Sequence, residues 1–429
     1  MRWFGSVPAH WDRPPVYARF EVQLGKMLDE RKITKHFLAP YLRNIDVQWD
    51  RINVDDLPEM DFDEVEQQLY SLRHGDILVC EGGEIGRCAI WSSDRRCFYQ
   101  KALHRLRPTT GKDDPRYFIL VMRAAVEAGL FTSQASAATI QHLPAEKLRI
   151  VRYPAPPINE QRAIVDYVSR HTGRIDALVA AKQRILDLLA EKRKAIIATA
   201  VTRGLEPKVK LRDSGVAWLG KIPAHWGFER ARWLFCEREV RSETGDEELL
   251  TVSHLTGVTP RSEKHVNMFE ADTNEGYKVC EPGDLVINTL WAWMGAMGTA
   301  PVKGVVSPAY HVYEPGPRLA PSYIDALVRL AVFTQEVTRY SKGVWSSRLR
   351  LYPEGFFEVH LPVPPMDEQR GIVEYIARET AKLDAVRAAT ERTIVLLKER
   401  RAALIAAAVT GQLDVDAQIL TIGGSYGTR

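Results

Sequence analysis

The sequence predicts an α+β protein: two similar mixed α/β domains, joined by two long helices that pair as an antiparallel coiled coil, with pseudo-twofold symmetry. The first observation is a repeat: Pro157-Ile158-Asn159-Glu160-Gln161-Arg162 returns as Pro365-Met366-Asp367-Glu368-Gln369-Arg370, and each copy opens a long helical run. The second is register. Ile175-Asp176-Ala177 matches Leu383-Asp384-Ala385, Glu191-Lys192-Arg193 matches Glu399-Arg400-Arg401, and Ala200-Val201-Thr202 matches Ala408-Val409-Thr410, with no insertion in either copy. The third lies upstream, where Trp3 to Trp11 is echoed by Trp218 to Trp226 and Gly75-Asp76-Ile77-Leu78-Val79 by Gly283-Asp284-Leu285-Val286-Ile287. The repeated unit is a globular domain followed by a helix.

Within the first domain, Asp76 to Cys80 reads as a short buried strand, Glu81 to Gly86 as a glycine-rich turn, and Cys97 to Leu106 as a further strand. Pro115 suits the first turn of a helix beginning at Arg116, and Pro321 plays the same part before Tyr323. Pro154-Ala155-Pro156-Pro157 and Pro362-Val363-Pro364-Pro365 hold the chain extended until Asn159 or Asp367 can cap the next helix. The expected divisions are therefore 1–156, 157–206, 207–364, 365–415 and a polar tail, 416–429.

Each arm carries an apolar stripe: Ile175, Leu178, Ile185, Leu188, Leu189 and Ile196 in the first, Leu383, Val386, Ile394, Leu396, Leu397, Leu404 and Ile405 in the second. The obvious cover for each stripe is the other, which makes the pair a spacer. Gly173 is the one place where the first arm is expected to bend or break.

Fifty-eight basic against 55 acidic residues give a net charge of +3, so any nucleic-acid surface must be local. Five cysteines, without a CxxC pair, point to a reducing compartment and to buried small hydrophobes. The spacing of Cys80, Cys88 and Cys97 with His74 or His104 fits none of the usual zinc templates. No segment approaches the roughly 18 apolar residues of a membrane span, so a cytoplasmic protein is expected.

Catalytic patterns are missing. Gly215-Val216-Ala217-Trp218-Leu219-Gly220-Lys221 imitates a phosphate-binding loop, but Ile222 stands where Ser or Thr is needed and Pro223 follows. No proline-rich base-holding loop, clustered metal carboxylates or nucleophile elbow is found. Basic residues with interleaved aromatics occur in two places. Arg95, Arg96, Lys101, His104, Arg105 and Arg107 surround Phe98 and Tyr99, while Arg339, Lys342, Arg348 and Arg350 surround Tyr340 and Trp345. Such mixtures suit both phosphate contact and base reading, which makes Arg95, Arg96, Lys101, Arg105, Lys342, Trp345, Arg348 and Arg350 the candidate DNA-binding residues.

Three sets of residues together resemble the specificity subunit of a type I restriction-modification system. They are Trp218 to Trp226 at the head of a unit, Gly75-Asp76-Ile77-Leu78 with Gly283-Asp284-Leu285-Val286, and Pro-Pro-x-x-Glu-Gln-Arg opening each arm; Val305 to Tyr310 adds to the resemblance. It runs from Trp3 to about Leu413, in order and twice over.

The resemblance implies a DNA-reading adaptor without catalysis of its own. The globular domains would be target recognition domains, each reading half of a bipartite double-stranded DNA target. Two methyltransferase subunits would dock on the helical regions, through Glu160, Gln161, Arg162, Glu368, Gln369 and Arg370, bring S-adenosylmethionine and modify adenine. A restriction and translocase subunit would bring ATP and Mg. Other readings are a coiled-coil DNA-binding scaffold or regulator without a methyltransferase, and a self-contained DNA-modifying enzyme.

Overall fold

A computed structural model describes residues 3–28, 35–131, 142–263, 273–344 and 349–413; Trp345, Arg348 and the tail 416–429 lie outside the described residues. It divides into two compact units, Met1–Lys182 with Glu391–Arg429, and Gln183–Thr390.

The first unit is built on a four-stranded antiparallel sheet. Its strands are β1 (Phe20–Leu24), β2 (Ile77–Cys80), β3 (Cys88–Ile90) and β4 (Leu103–Pro108), in the order β1-β4-β2-β3. The expected strand from Cys97 is interrupted: Phe98–Tyr99 pairs elsewhere, with Leu38–Leu42, before the chain turns through Ala102 at a φ of 116° into β4. Helix α1 (Glu64–Tyr70) is capped by Asp63, and α2 (Pro115–Glu127) starts at the expected proline with Asp114 as its cap. The α2 face formed by Tyr117, Phe118, Val121 and Met122 packs on β1, β2 and β4, and burial of so many large side chains is the main stabilising term of the unit.

The second unit repeats the plan. Strands β5 (Phe235–Glu237), β6 (Leu285–Ile287), β7 (Met297–Thr299) and β8 (His311–Pro315) take the order β5-β8-β6-β7, and α4 (Pro321–Val328) covers them. The imitation phosphate loop is a hairpin turn between Leu211–Asp213 and Lys221–Pro223, with Gly215 and Gly220 both at positive φ. Its Trp218 meets Phe333 edge-on at 5.5 Å.

Each unit closes where its arm begins. Asp12 bridges Ala155 and Pro15 bridges Arg152 in the first; Gly227–Arg230 pairs antiparallel with His360–Val363 in the second. The prolines then end the pairing, because they offer no further N–H groups.

The arms are the helices α3 (Ile158–Arg203) and α5 (Met366–Val409). At about 1.5 Å per residue α3 is roughly 69 Å long. Asn159 and Asp367 lie inside the first turns rather than at the caps. Gly173 does not break α3, which runs through it without interruption. Buried Val168, Thr172 and Ile175 hold the helix on both sides of it, and that packing outweighs the ~1 kcal/mol propensity cost of one glycine.

Within each unit a stretch of α3 runs antiparallel to a stretch of α5. In the first, Ile164 and Val168 share a core with Ile405 and Val409, while Asp176 accepts a hydrogen bond from Arg401 Nε at 2.9 Å. In the second, Val201 shares a core with Ile372, while Asp384 accepts two from Arg193 at 2.8 and 2.9 Å. These are one ion pair written twice, since Asp176 corresponds to Asp384 and Arg193 to Arg401 in the repeat.

The stripe needs correction in phase. Ile175 is buried and Leu189, Ile196, Leu383, Leu397 and Leu404 are half-buried, but Leu178 (52% exposed), Ile185 and Val386 (48%) face outward, as do Leu188 and Leu396. The seam in α3 is instead Ile175, Val179, Lys182, Leu186, Leu189, Arg193, Ile196 and Ala200, whose spacing alternates four and three. Lys182 and Arg193 can occupy it because their aliphatic stems cover apolar neighbours while the charge reaches the edge.

The cysteine expectation also changes at one position: Cys80, Cys88, Cys97 and Cys280 are buried, but Cys236 is exposed on edge strand β5. Among the described residues no helix is long and apolar enough to cross a membrane.

Candidate nucleic-acid interface

The residues that open the arms are clamps. Glu160 accepts from Trp11 Nε1 at 2.9 Å and lies 3.1 Å from His10 Nε2; Glu368 accepts from Trp226 Nε1 at 2.8 Å and lies 2.5 Å from His225 Nε2. Gln161 and Gln369 are both 0% exposed. Gln161 accepts from the Asp114 N–H at 2.9 Å and donates to the Lys112 and Pro156 carbonyls, each at 2.9 Å. Gln369 does the same with the Ala320 N–H at 2.7 Å and the Arg318 and Pro364 carbonyls at 2.8 Å.

The docking role expected of Gln161 and Gln369 is thereby corrected, because both are fully buried, while the Glu160 and Glu368 carboxylates are partly exposed. All four residues bond to internal partners and so join the head of a unit, its α2 or α4 helix and its arm. Arg162 and Arg370 are exposed and stay open to a partner.

The basic cluster of the first unit separates into two groups. Arg105 is 1% exposed; it donates to the Leu69 and Ser71 carbonyls at 2.9 and 3.1 Å and to Glu21 at 2.5 Å. The first two acceptors lie at the C-terminal end of α1, where helix carbonyls lack intrahelical donors, so the guanidinium serves as a cap. Arg105 is therefore corrected from a DNA contact to a structural residue. Arg107 is held by Asp76 at 2.7 and 2.8 Å, a hydrogen-bonded pair that raises the arginine pKa further. His104 is buried against the Leu143 carbonyl at 2.7 Å.

Arg95, Arg96 and Lys101 are exposed. The Arg95 guanidinium donates to the Val54 carbonyl at 3.3 Å, and that of Arg96 lies over the Phe98 ring at 5.6 Å and meets Gln67. Arg96, Arg73, Gln67 and Ser71 line an open cleft of about 650 Å³. Gln68 and the Glu64 carboxylate complete the wall, so two guanidiniums and two amides can meet phosphate oxygens or base edges while Glu64 favours a base amino donor.

In the second unit Lys342 and Arg350 exchange both backbone hydrogen bonds at 2.9 Å, which brings two exposed cations side by side. Neither side chain has an ion-pair partner among the described residues.

Residues 30–186 match the family described as the type I restriction modification DNA specificity domain. The chain is 21% identical over 377 residues to the type I restriction enzyme EcoBI specificity subunit of Escherichia coli, covering 79% of this chain and 73% of that one. It is 22% identical over 315 residues to the MjaX specificity subunit of Methanocaldococcus jannaschii, covering 71% of each. The fold matches a chain in a solved type I R-M system with a TM-score of 0.70 at 16% identity, covering 95% of this chain and 100% of that one. It also matches the HsdS subunit of Thermoanaerobacter tengcongensis with a TM-score of 0.54 at 16% identity, covering 95% and 98%.

Residues 30–186 carry a type I DNA specificity domain, and over most of its length the chain is similar to type I specificity subunits.

The Gly-Asp pair does more in the structure than its sequence suggests. Asp76 and Asp284 are buried, accept from the N–H groups of Arg73 and Glu281, and bind a guanidinium. The arginine comes from β4 in the first unit, as Arg107, and from just beyond β5 in the second, as Arg238. The motif in both copies was the available signal. Its partner was not legible, because two different strands supply it.

Proposed function

We propose that this chain reads a bipartite double-stranded DNA target, with 1–156 and 207–364 each recognising one half and the arm helices setting the unread gap. It directs adenine methylation by two methyltransferase subunits and cleavage by a restriction and translocase subunit. S-adenosylmethionine, ATP and Mg belong to those partners, and this chain supplies recognition without catalysis. In the first unit Arg95, Arg96 and Lys101 contact DNA, and in the second Lys342 and Arg350, with Trp345 and Arg348 assigned from sequence alone. Arg162 and Arg370 face the methyltransferase.

One observation carries the reading: the same clamp and the same ion pair recur in both units, while the exposed basic residues differ in position and kind. A scaffold with two equal tasks has no need of different surfaces, whereas a reader of two different half-sites does. The test is to insert four residues at matching places in both arms, assemble the chain with its methyltransferase and map methylated adenines. The gap between half-sites is expected to change with the half-sites themselves unaltered, and a constant gap overturns the spacer role.

A further inference from the structure

The turn between β6 and β7 differs from its counterpart between β2 and β3. In the first unit residues 81–87 are Glu-Gly-Gly-Glu-Ile-Gly-Arg, without an aromatic. The nearby Trp49 donates its ring N–H to Glu84 and has the Arg123 guanidinium 4.6 Å over its face, so that indole is covered. In the second unit residues 288–296 carry Trp291 and Trp293, whose near-parallel rings (15°) lie 6.3 Å apart. Trp291 is 48% exposed and no described cation or ring beyond Trp293 lies over it.

The pair is held rather than loose. The Trp291 N–H donates to the Asn288 carbonyl at 3.0 Å and its own carbonyl accepts from Ala296 at 3.1 Å. Trp293 Nε1 donates to the Leu290 carbonyl at 3.0 Å, and Gly295 closes the turn in the left-handed region at a φ of 89°. The turn is also beside the exposed cations: the Thr289 carbonyl accepts from the N–H of Leu351, next to Arg350, at 3.3 Å. A preordered, uncovered indole next to two free cations matches a surface that holds duplex DNA by its phosphates and lays an apolar ring against base edges and thymine methyl groups.

We infer that Trp291, backed by Trp293, contacts bases in the half-site read by the second unit, next to phosphates held by Lys342 and Arg350. The inference rests on the reading of the chain as a bipartite DNA recognition subunit. It makes the two halves chemically unlike: the first is read from a polar, guanidinium-lined cleft and the second with an apolar ring.

The test uses the full chain assembled with its methyltransferase and a randomised duplex pool, selected by wild type, Trp291→Ala, Trp291→Phe, Lys342→Ala and, as a control on another exposed indole of the same unit, Trp233→Ala. Trp291→Ala is expected to weaken binding to the wild-type target about tenfold, the scale of losing recognition at one base pair of a duplex site. It should lose base preference in one half only, the half also weakened by Lys342→Ala. Trp291→Phe should retain part of the preference and Trp233→Ala all of it. Hydrogen exchange of the β6 and β8 amides separates the two causes: a local folding defect removes their protection, whereas loss of a base contact leaves it unchanged. Unchanged selection by Trp291→Ala, or equal loss in both halves, overturns the inference. Failure of the wild-type complex to select any split sequence would instead overturn the function on which it rests.

Discussion

The two units make the same hydrogen bonds where they meet the arms, with lengths that agree within 0.2 Å, and differ where they face solvent. Gln161 and Gln369 make the same three hydrogen bonds, and Trp11 and Trp226 reach the same carboxylate at 2.9 and 2.8 Å. One layer out the solutions diverge: the buried Asp76 and Asp284 are neutralised from different strands, and the β2–β3 and β6–β7 turns share no surface chemistry. The difference teaches that drift has been free only beyond the clamp. A helix that must leave each unit at the same angle fixes the residues at its root, and recognition loops carry no such constraint.

The strongest way to break this comparison is to remove the clamp. Gln161→Leu leaves one buried N–H and two carbonyls without their partner, and at about 1–3 kcal/mol per unsatisfied group, partly relaxed, the loss should be about 3–5 kcal/mol. Gln369→Leu should cost the same, because the geometry is the same. Denaturant unfolding of the full chain measures both. Losses that differ by more than about 1.5 kcal/mol, a margin beyond ordinary context effects, would show that the two clamps are not equivalent.

Next comes Arg105→Ala, which sharpens the line between structural and reading residues. It uncaps α1 and leaves Glu21 without its cation, at an expected cost of about 2–4 kcal/mol in the first unit. Base preference at either half-site should survive wherever the variant folds. A stable variant with altered preference would return Arg105 to the interface.

The seam ion pairs give a smaller effect. Arg193 and Asp384 are each close to half exposed, whereas the Arg401 side chain is 20% exposed, so Arg401→Ala should cost more than Arg193→Ala, both within about 1 kcal/mol. Thermal unfolding at low and high salt checks the order. The reverse order would mean that the seam is packed differently in the two units.

Much of this was legible in the sequence, for local reasons. The Asp76 to Cys80 strand and the helices after Pro115 and Pro321 are set by short patterns and by proline and appear where expected, and each arm starts within two residues of its expected cap. What failed depended on partners distant along the chain. Arg105 looks like any exposed cation until α1 brings its carbonyls to it, and Glu160 looks like a surface acid until Trp11 donates to it. The seam phase failed for a related reason. Leu178, Leu188 and Leu396 are apolar but outward, while Lys182, Arg193 and Arg401 lie inward, because the position of the opposite helix, rather than residue type, chooses the seam.

The smallest expected effect separates the units by pH. His104 and His311 occupy one repeat position, opposite Val79 in β2 and Ile287 in β6. His311 lies 2.6 Å from Glu237, but His104 is fully buried, donates through Nε2 to the Leu143 carbonyl, and has no partner for Nδ1 among the described residues. Burial lowers the His104 pKa below its ordinary 6.5, so as pH falls the unfolded chain takes up the proton first. The stability that neutral His104 contributes is complete above pH 6.5 and is lost below it, as pH falls toward the lowered value. Hydrogen exchange should therefore show the β2 and β4 amides of the first unit losing protection between pH 7 and 5 more steeply than those of β6 and β8. His104→Gln, which can still donate to Leu143 but cannot titrate, should remove that difference, and an unchanged slope in the variant would assign the acid sensitivity to other groups.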